Sequence, residues 1–118
     1  MKSVASKMDK GSRESDKKLR VDLVPPCVIE GLAEVLTFGA KKYGDHNWKK
    51  GLYLEKEVVG PLLRHLLAWR QGQELDPESG MHTLKHVLCN AAFLVYFANR
   101  KEQYYGRFDD RDIRHRSE

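Results

Sequence analysis

The sequence is poor in cysteine, and what it has is badly placed for cross-linking. Its two cysteines, Cys27 and Cys89, each lie in an apolar segment, and neither belongs to a CxxC pair. A disulfide framework and a structural zinc site are therefore both poorly supported, and buried free thiols are the expectation. Long apolar runs are missing as well. None approaches the roughly 18 residues of a membrane span, and the polar stretch from Met1 to Arg20 has no signal-peptide core, so a soluble, cytoplasmic protein without a membrane partner is expected. A basic folded face is also lacking. Residues 1–20 carry seven basic and three acidic groups, whereas residues 21–99 carry eight basic and nine acidic ones, so most of the +4 net charge sits in the tail. That distribution argues against a nucleic-acid partner, because a nucleic-acid module concentrates its charge on structured surface.

What is present points to helices in one small domain. With 118 residues the chain is no longer than a single domain of about 100–200 residues requires. Residues 1–20 are rich in Lys, Ser and Asp and too poor in apolar groups to offset their ordering entropy, which predicts a flexible basic tail. Pro25-Pro26 suits a helix start, and the spacing of Val28, Leu32, Val35 and Leu36 predicts a helix over about 27–43. A second helix is expected over 55–71, with Gly60-Pro61 either starting it or kinking it. Asp76 before Pro77 reads as an N-cap, so a third helix is expected from about Pro77 or Ser79 to Glu102, carrying Leu84, Val87, Leu88, Ala91, Leu94 and Val95. The predicted fold is an all-α bundle of three principal helices over residues 21–106, followed by a charged tail over 107–118. Apolar stripes wider than one neighbouring helix covers, on so small a domain, favour a homo-oligomer.

Four groups of residues carry candidate chemistry. In GAKKYGDHNWKKG, the lysines around Lys42 suit phosphates, Tyr43 or Trp48 suits stacking on a base, and Asn47 suits a base edge. The same residues also read as a dipole-complemented helix end with Trp48 covering the core. His82, His86 and Asn90 form one polar stripe at i, i+4 and i+8, either a hydrogen-bonded layer or a wall facing substrate. Arg64 and His65 on the second helix are placed to face that stripe. Glu74, Asp76 and Glu78 in the intervening turn have the chemistry to hold Mg²⁺ or Mn²⁺, or simply to cap the next helix.

The segments KLRVDLVPP, FGAKKYGDHNWKKG and RHLLAWRQGQELDPESGMHTLKHVLCNAAFL, in that order, resemble the phage family of dATP/dGTP diphosphohydrolase N-terminal domains, relatives of the MazG-like all-α pyrophosphohydrolases. The resemblance implies a helical domain and a purine deoxynucleotide ligand in an infected bacterial cell. It makes Lys42, Tyr43, Asn47, Trp48, Arg64 and Asn90 substrate-binding candidates, His65, His82 and His86 proton-transfer candidates, and Glu74, Asp76 and Glu78 metal candidates. The ExxE and ExxD metal pairs of MazG-type enzymes are absent. Two readings follow: hydrolysis of a purine deoxynucleoside triphosphate to monophosphate and pyrophosphate, or sequestration of a nucleotide or nucleotide-derived signal without cleavage, as an anti-defence sponge.

Overall fold

A computed structural model describes residues 10–13 and 17–113. Among these the chain is helical, with α1 (Pro26–Tyr43), α2 (Gly60–Arg70), α3 (Thr83–Ala98) and α4 (Lys101–Phe108). Short 3-10 turns cover Val21–Leu23 and Asn47–Lys50, and an isolated bridge pairs Leu75 with His82. No helix among the described residues is long and apolar enough to cross a membrane. Most of the tail predicted to be flexible, residues 1–9 and 14–16, lies outside the described residues, as do 114–118.

Helix α1 opens on Pro26, whose missing N–H is harmless in a first turn, and closes at Gly44, whose N–H donates to the Ala40 carbonyl. Its buried residues are Gly31 and Val35. A Cβ added at Gly31 would meet the Lys85 stem at 3.2 Å, so the glycine lets α1 approach α3 closely. Lys85 then reaches Glu34 at 2.6 Å and ties the two helices at the surface.

The segment before α2 resolves the choice posed by Gly60-Pro61. Leu54–Val59 is already helical, in the wider i→i+5 register, and runs directly into α2, so Glu55 and Glu57 are helical. Pro61 has no N–H to give the Glu57 carbonyl, and the wider turn accommodates that loss. Two backbone donors at its start are satisfied from far away: the Asp110 carboxylate accepts from the Glu55 N–H at 2.6 Å and the Lys56 N–H at 3.1 Å.

Three expectations are corrected. The third helix starts at Thr83 rather than at Pro77 or Ser79, because Asp76 caps a non-helical turn instead of the helix. It also ends at Ala98 rather than at Glu102, and the chain turns through Asn99 and Arg100 into α4. That turn brings Tyr104 and Phe108 back into a core shared with Leu54, Val58 and Phe97, against which Trp48, Phe93 and Tyr96 pack. The Tyr104 hydroxyl donates to the Lys49 carbonyl at 2.6 Å, so α4 holds the connection between α1 and α2 in place. Finally, only one of the thiols is buried. Cys89 sits inside α3, where burial pushes its pKa up to about 11, whereas Cys27 in the first turn of α1 is exposed.

Candidate functional site

The loop between α2 and α3 folds over the polar ends of both helices. Its backbone is closed by the Asp76 N–H donating to the Met81 carbonyl at 2.7 Å and the Gly80 N–H donating to the Asp76 carbonyl at 2.8 Å. Thr83, buried at the start of α3, donates its hydroxyl to the Gln73 carbonyl at 3.0 Å. These bonds fix the position of Asp76. Its Oδ2 accepts from the Glu78 N–H at 3.1 Å, the Ser79 N–H at 2.9 Å and the Ser79 hydroxyl at 3.1 Å.

His65 from α2 and His86 from α3 meet beneath this loop. Their rings stack with centroids 4.7 Å apart and planes 16° from parallel. His65 Nδ1 lies 3.7 Å from Asp76 Oδ1, and His86 Nε2 lies 3.9 Å from Asp76 Oδ2 and 2.7 Å from Ser79 Oγ. Burial and the neighbouring His86 lower the pKa of His65. Burial alone would raise that of Asp76, but the Ser79 N–H and hydroxyl together with the two imidazoles outweigh it and hold the carboxyl below its ordinary value. The result is a half-buried group of two imidazoles, one carboxylate and one hydroxyl. Sequence reasoning placed His65, His86 and Asp76 here and missed Ser79. The D-x-x-S spacing of an Asx turn was the available signal, since it puts the serine hydroxyl back on the aspartate.

His82 does not join this group. Its Nδ1 accepts from the Leu84 N–H at 3.1 Å, capping α3, and its Nε2 bonds Glu74 Oε1 at 2.6 Å. Both ring nitrogens are committed, which leaves the proton on Nε2 and gives the residue a structural task. Asn90 donates to the His86 carbonyl at 2.9 Å, one turn back along its own helix. Arg64 is exposed beside His65 on α2.

The lysine-rich segment divides. Lys42 reaches Glu78 at 2.7 Å, which brings its ammonium to the edge of the Asp76 loop, and lies 5.2 Å from the ring centre of the exposed Tyr43. Trp48 goes elsewhere. Its ring stacks on Phe93 at 4.5 Å and meets Tyr96 and Phe97 edge-on, about two to three helical turns beyond His86 on α3. The covering role, not the stacking one, is what its surroundings show. Asn47 begins the 3-10 turn that carries Trp48. Sequence reasoning also missed a depression of about 510 Å³ along α1, lined by Glu30, Glu34, Phe38 and Lys41 with Met81 from the loop. Met81 connects it to the histidine pair, since the Met81 N–H donates to Ser79 Oγ at 3.2 Å.

The three loop acids do not fit a shared divalent ion. Glu74 is paired with His82, Asp76 is taken up by its own turn, and Glu78 is paired with Lys42, so their oxygens diverge toward three different partners. Among the described residues no group of three or more His, Cys, Asp and Glu side chains is arranged to hold a metal ion.

Residues 8–111 match the family described as dATP/dGTP diphosphohydrolase, N-terminal. A protein of Salmonella phage PMBT28 named dATP/dGTP diphosphohydrolase is 30% identical over 91 residues, which cover 77% of this chain and 31% of that relative. The chain thus spans about a third of the relative it matches. No solved structure matches it.

Proposed function

The chain belongs to the dATP/dGTP diphosphohydrolase N-terminal family, and from that premise we propose that it binds a purine deoxynucleoside triphosphate and hydrolyses it to the monophosphate and pyrophosphate. The observation that carries this reading is the meeting of His65, His86, Asp76 and Ser79 under a loop that Lys42 touches through Glu78. A cation at the rim and a proton-handling group behind it are what phosphoanhydride hydrolysis asks of side chains. The comparisons give sequestration without cleavage no support. In this role the protein acts on the nucleotide pool in the cytoplasm of an infected bacterial host.

In the proposed reaction a water attacks the α-phosphorus, the bond from that phosphorus to the bridging oxygen breaks, and pyrophosphate leaves. Lys42 and Arg64 offset charge on the phosphates. His65 or His86 takes the proton that the water loses. His82, held as a helix cap, is left out of that step. The depression along α1 is the seat for the nucleoside, with the Phe38 face replacing Trp48 as the surface under the base and Tyr43 beside Lys42. Asn47 and Asn90 are amides within the matched region and are kept as binding candidates. Glu74, Asp76 and Glu78 turn to three different partners and offer Mg²⁺ or Mn²⁺ no shared seat. The exposed apolar side chains of α2 support a homo-oligomer as the working form.

The test is direct. Purified protein is incubated with dATP, dGTP and their ribonucleotide and pyrimidine counterparts, with Mg²⁺, with Mn²⁺ and with a chelator, and the nucleotides are quantified. Monophosphate and pyrophosphate in equal amounts from a purine deoxynucleotide is the expected result. Recovery of every nucleotide intact under all three conditions overturns the reading.

A further inference from the structure

We propose that Ser79 is a positioning residue that assigns the ring protons of His86, making His86 Nδ1 the basic atom of the site. The inference deepens the reading above only in its kinetic consequence; the ring assignment stands on geometry alone.

A serine hydroxyl has one hydrogen and two lone pairs. Three groups surround Ser79 Oγ: Asp76 Oδ2 at 3.1 Å, the Met81 N–H at 3.2 Å and His86 Nε2 at 2.7 Å. An ionised Asp76 can only accept, so the hydroxyl hydrogen points to it. The Met81 N–H can only donate, so it takes one lone pair. The remaining lone pair must receive a donor, and His86 Nε2 therefore carries its hydrogen. The reverse assignment would turn the hydroxyl hydrogen toward His86 and leave oxygen lone pairs of Ser79 and Asp76 facing each other.

Two consequences follow for the neutral ring. Its free lone pair lies on Nδ1, the atom left to accept a proton. When Nδ1 takes one, the positive charge remains coupled to Asp76 through the Nε2–H to Ser79 to Asp76 chain. His65 is the poorer seat for that charge, because burial and the His86 ring stacked at 4.7 Å disfavour its charged form and Arg64 adds to this, with Asp76 and Glu78 acting in the opposite sense.

The test uses full-length protein with ¹⁵N-labelled histidine, comparing wild type, Ser79→Ala and Ser79→Thr, with His86→Gln to assign the signals. Above the imidazole titration range, the wild-type His86 ring should show a protonated Nε2 whose hydrogen exchanges slowly enough to be seen. Ser79→Thr, which keeps the hydroxyl, should preserve that protected signal, and Ser79→Ala should lose it. A wild-type His86 protonated on Nδ1, or an Nε2–H that stays protected in Ser79→Ala, overturns the proposal. In the hydrolysis assay Ser79→Ala should lower kcat at least 10-fold with KM changed less than threefold, and Ser79→Thr should restore most of it. Equal loss in both variants counts against positioning. If the ring behaves as expected and the wild type turns over no nucleotide, the hydrolase reading fails and the assignment of His86 stands.

Discussion

Trp48 illustrates how one side chain changes meaning between sequence and structure. Between two lysine pairs it has the composition of a base-stacking residue, but its ring is spent on Phe93, Tyr96 and Phe97. Truncation should therefore act on stability: Trp48→Ala is expected to cost about 3 kcal/mol, read from denaturant unfolding, as aromatic truncations in packed surroundings do. Unchanged stability with lost nucleotide binding would return the residue to the base-stacking role. The histidine cluster makes a second prediction, through pH. Both His65 and Asp76 have folded-state pKa values below their ordinary ones, so the unfolded chain binds the additional protons as pH falls. The contribution of His65 is fully present above about pH 6.5 and is lost as pH drops through that range toward its folded value. That of Asp76 is retained until the pH passes below about 4, the ordinary carboxylate value. Thermal midpoints measured from neutral pH downward should therefore fall in two stages, and His65→Gln should remove the first. A midpoint that rises between pH 7 and 5 contradicts this assignment.

Elements are where local signals and long-range contacts part company. Helices α1 and α2 were legible because their evidence is local: prolines at the start, apolar residues at helical spacing, glycine at the end. The split between α3 and α4 was not, because the apolar spacing continues through Phe97 into Tyr104 and Tyr105 without a glycine or proline. What breaks the helix is the docking of Tyr104 and Phe108 onto the 48–54 connection, a contact between residues more than fifty apart in sequence. Gly51 is the other half of that docking. It sits at φ +117°, and a Cβ there would lie 2.1 Å from the Phe108 ring. Gly51→Ala should destabilise the protein by about 1–3 kcal/mol, the range typical of overpacking. The double variant Gly51→Ala, Phe108→Ala should then cost less than the sum of its two single changes, since removing the ring also removes the overlap that the added Cβ creates. Strict additivity would show that α4 does not pack on Gly51. In the site, that His65 faces the His86 stripe was legible from the polar spacing on the two helices, whereas the stacking of the rings was not. The capping role of His82 was not, because histidine is outside the usual cap residues and its commitment depends on Glu74 eight residues earlier.

At the scale of the whole molecule the question is what covers α2. Leu62 and Leu66 turn inward toward half-buried positions, yet α2 has no fully buried residue. On its other side Leu63 and Leu67, one turn apart, are 47% and 52% exposed; Trp69, on the Leu62–Leu66 face at the end of the helix, is 39% exposed, and Val95 on α3 is 69% exposed. The fully buried apolar side chains gather mainly around Leu54, Val58, Phe97, Tyr104 and Phe108, so α2 is held to the body by one face only. An apolar stripe of this kind on a small helical domain is stabilised by association, and a second copy presents a matching stripe automatically through two-fold symmetry. The protein should therefore run in light scattering at a multiple of its 13.7 kDa chain mass at micromolar concentration. Leu63→Glu with Leu67→Glu should shift it toward the single-chain mass while leaving helical circular dichroism largely in place, because neither side chain enters the core around Phe97. Dissociation that accompanies dilution of the wild type should lower its thermal midpoint, as mass action requires. A wild type that stays at the single-chain mass, with a midpoint independent of concentration, would show that α2 is stable with its second face in water.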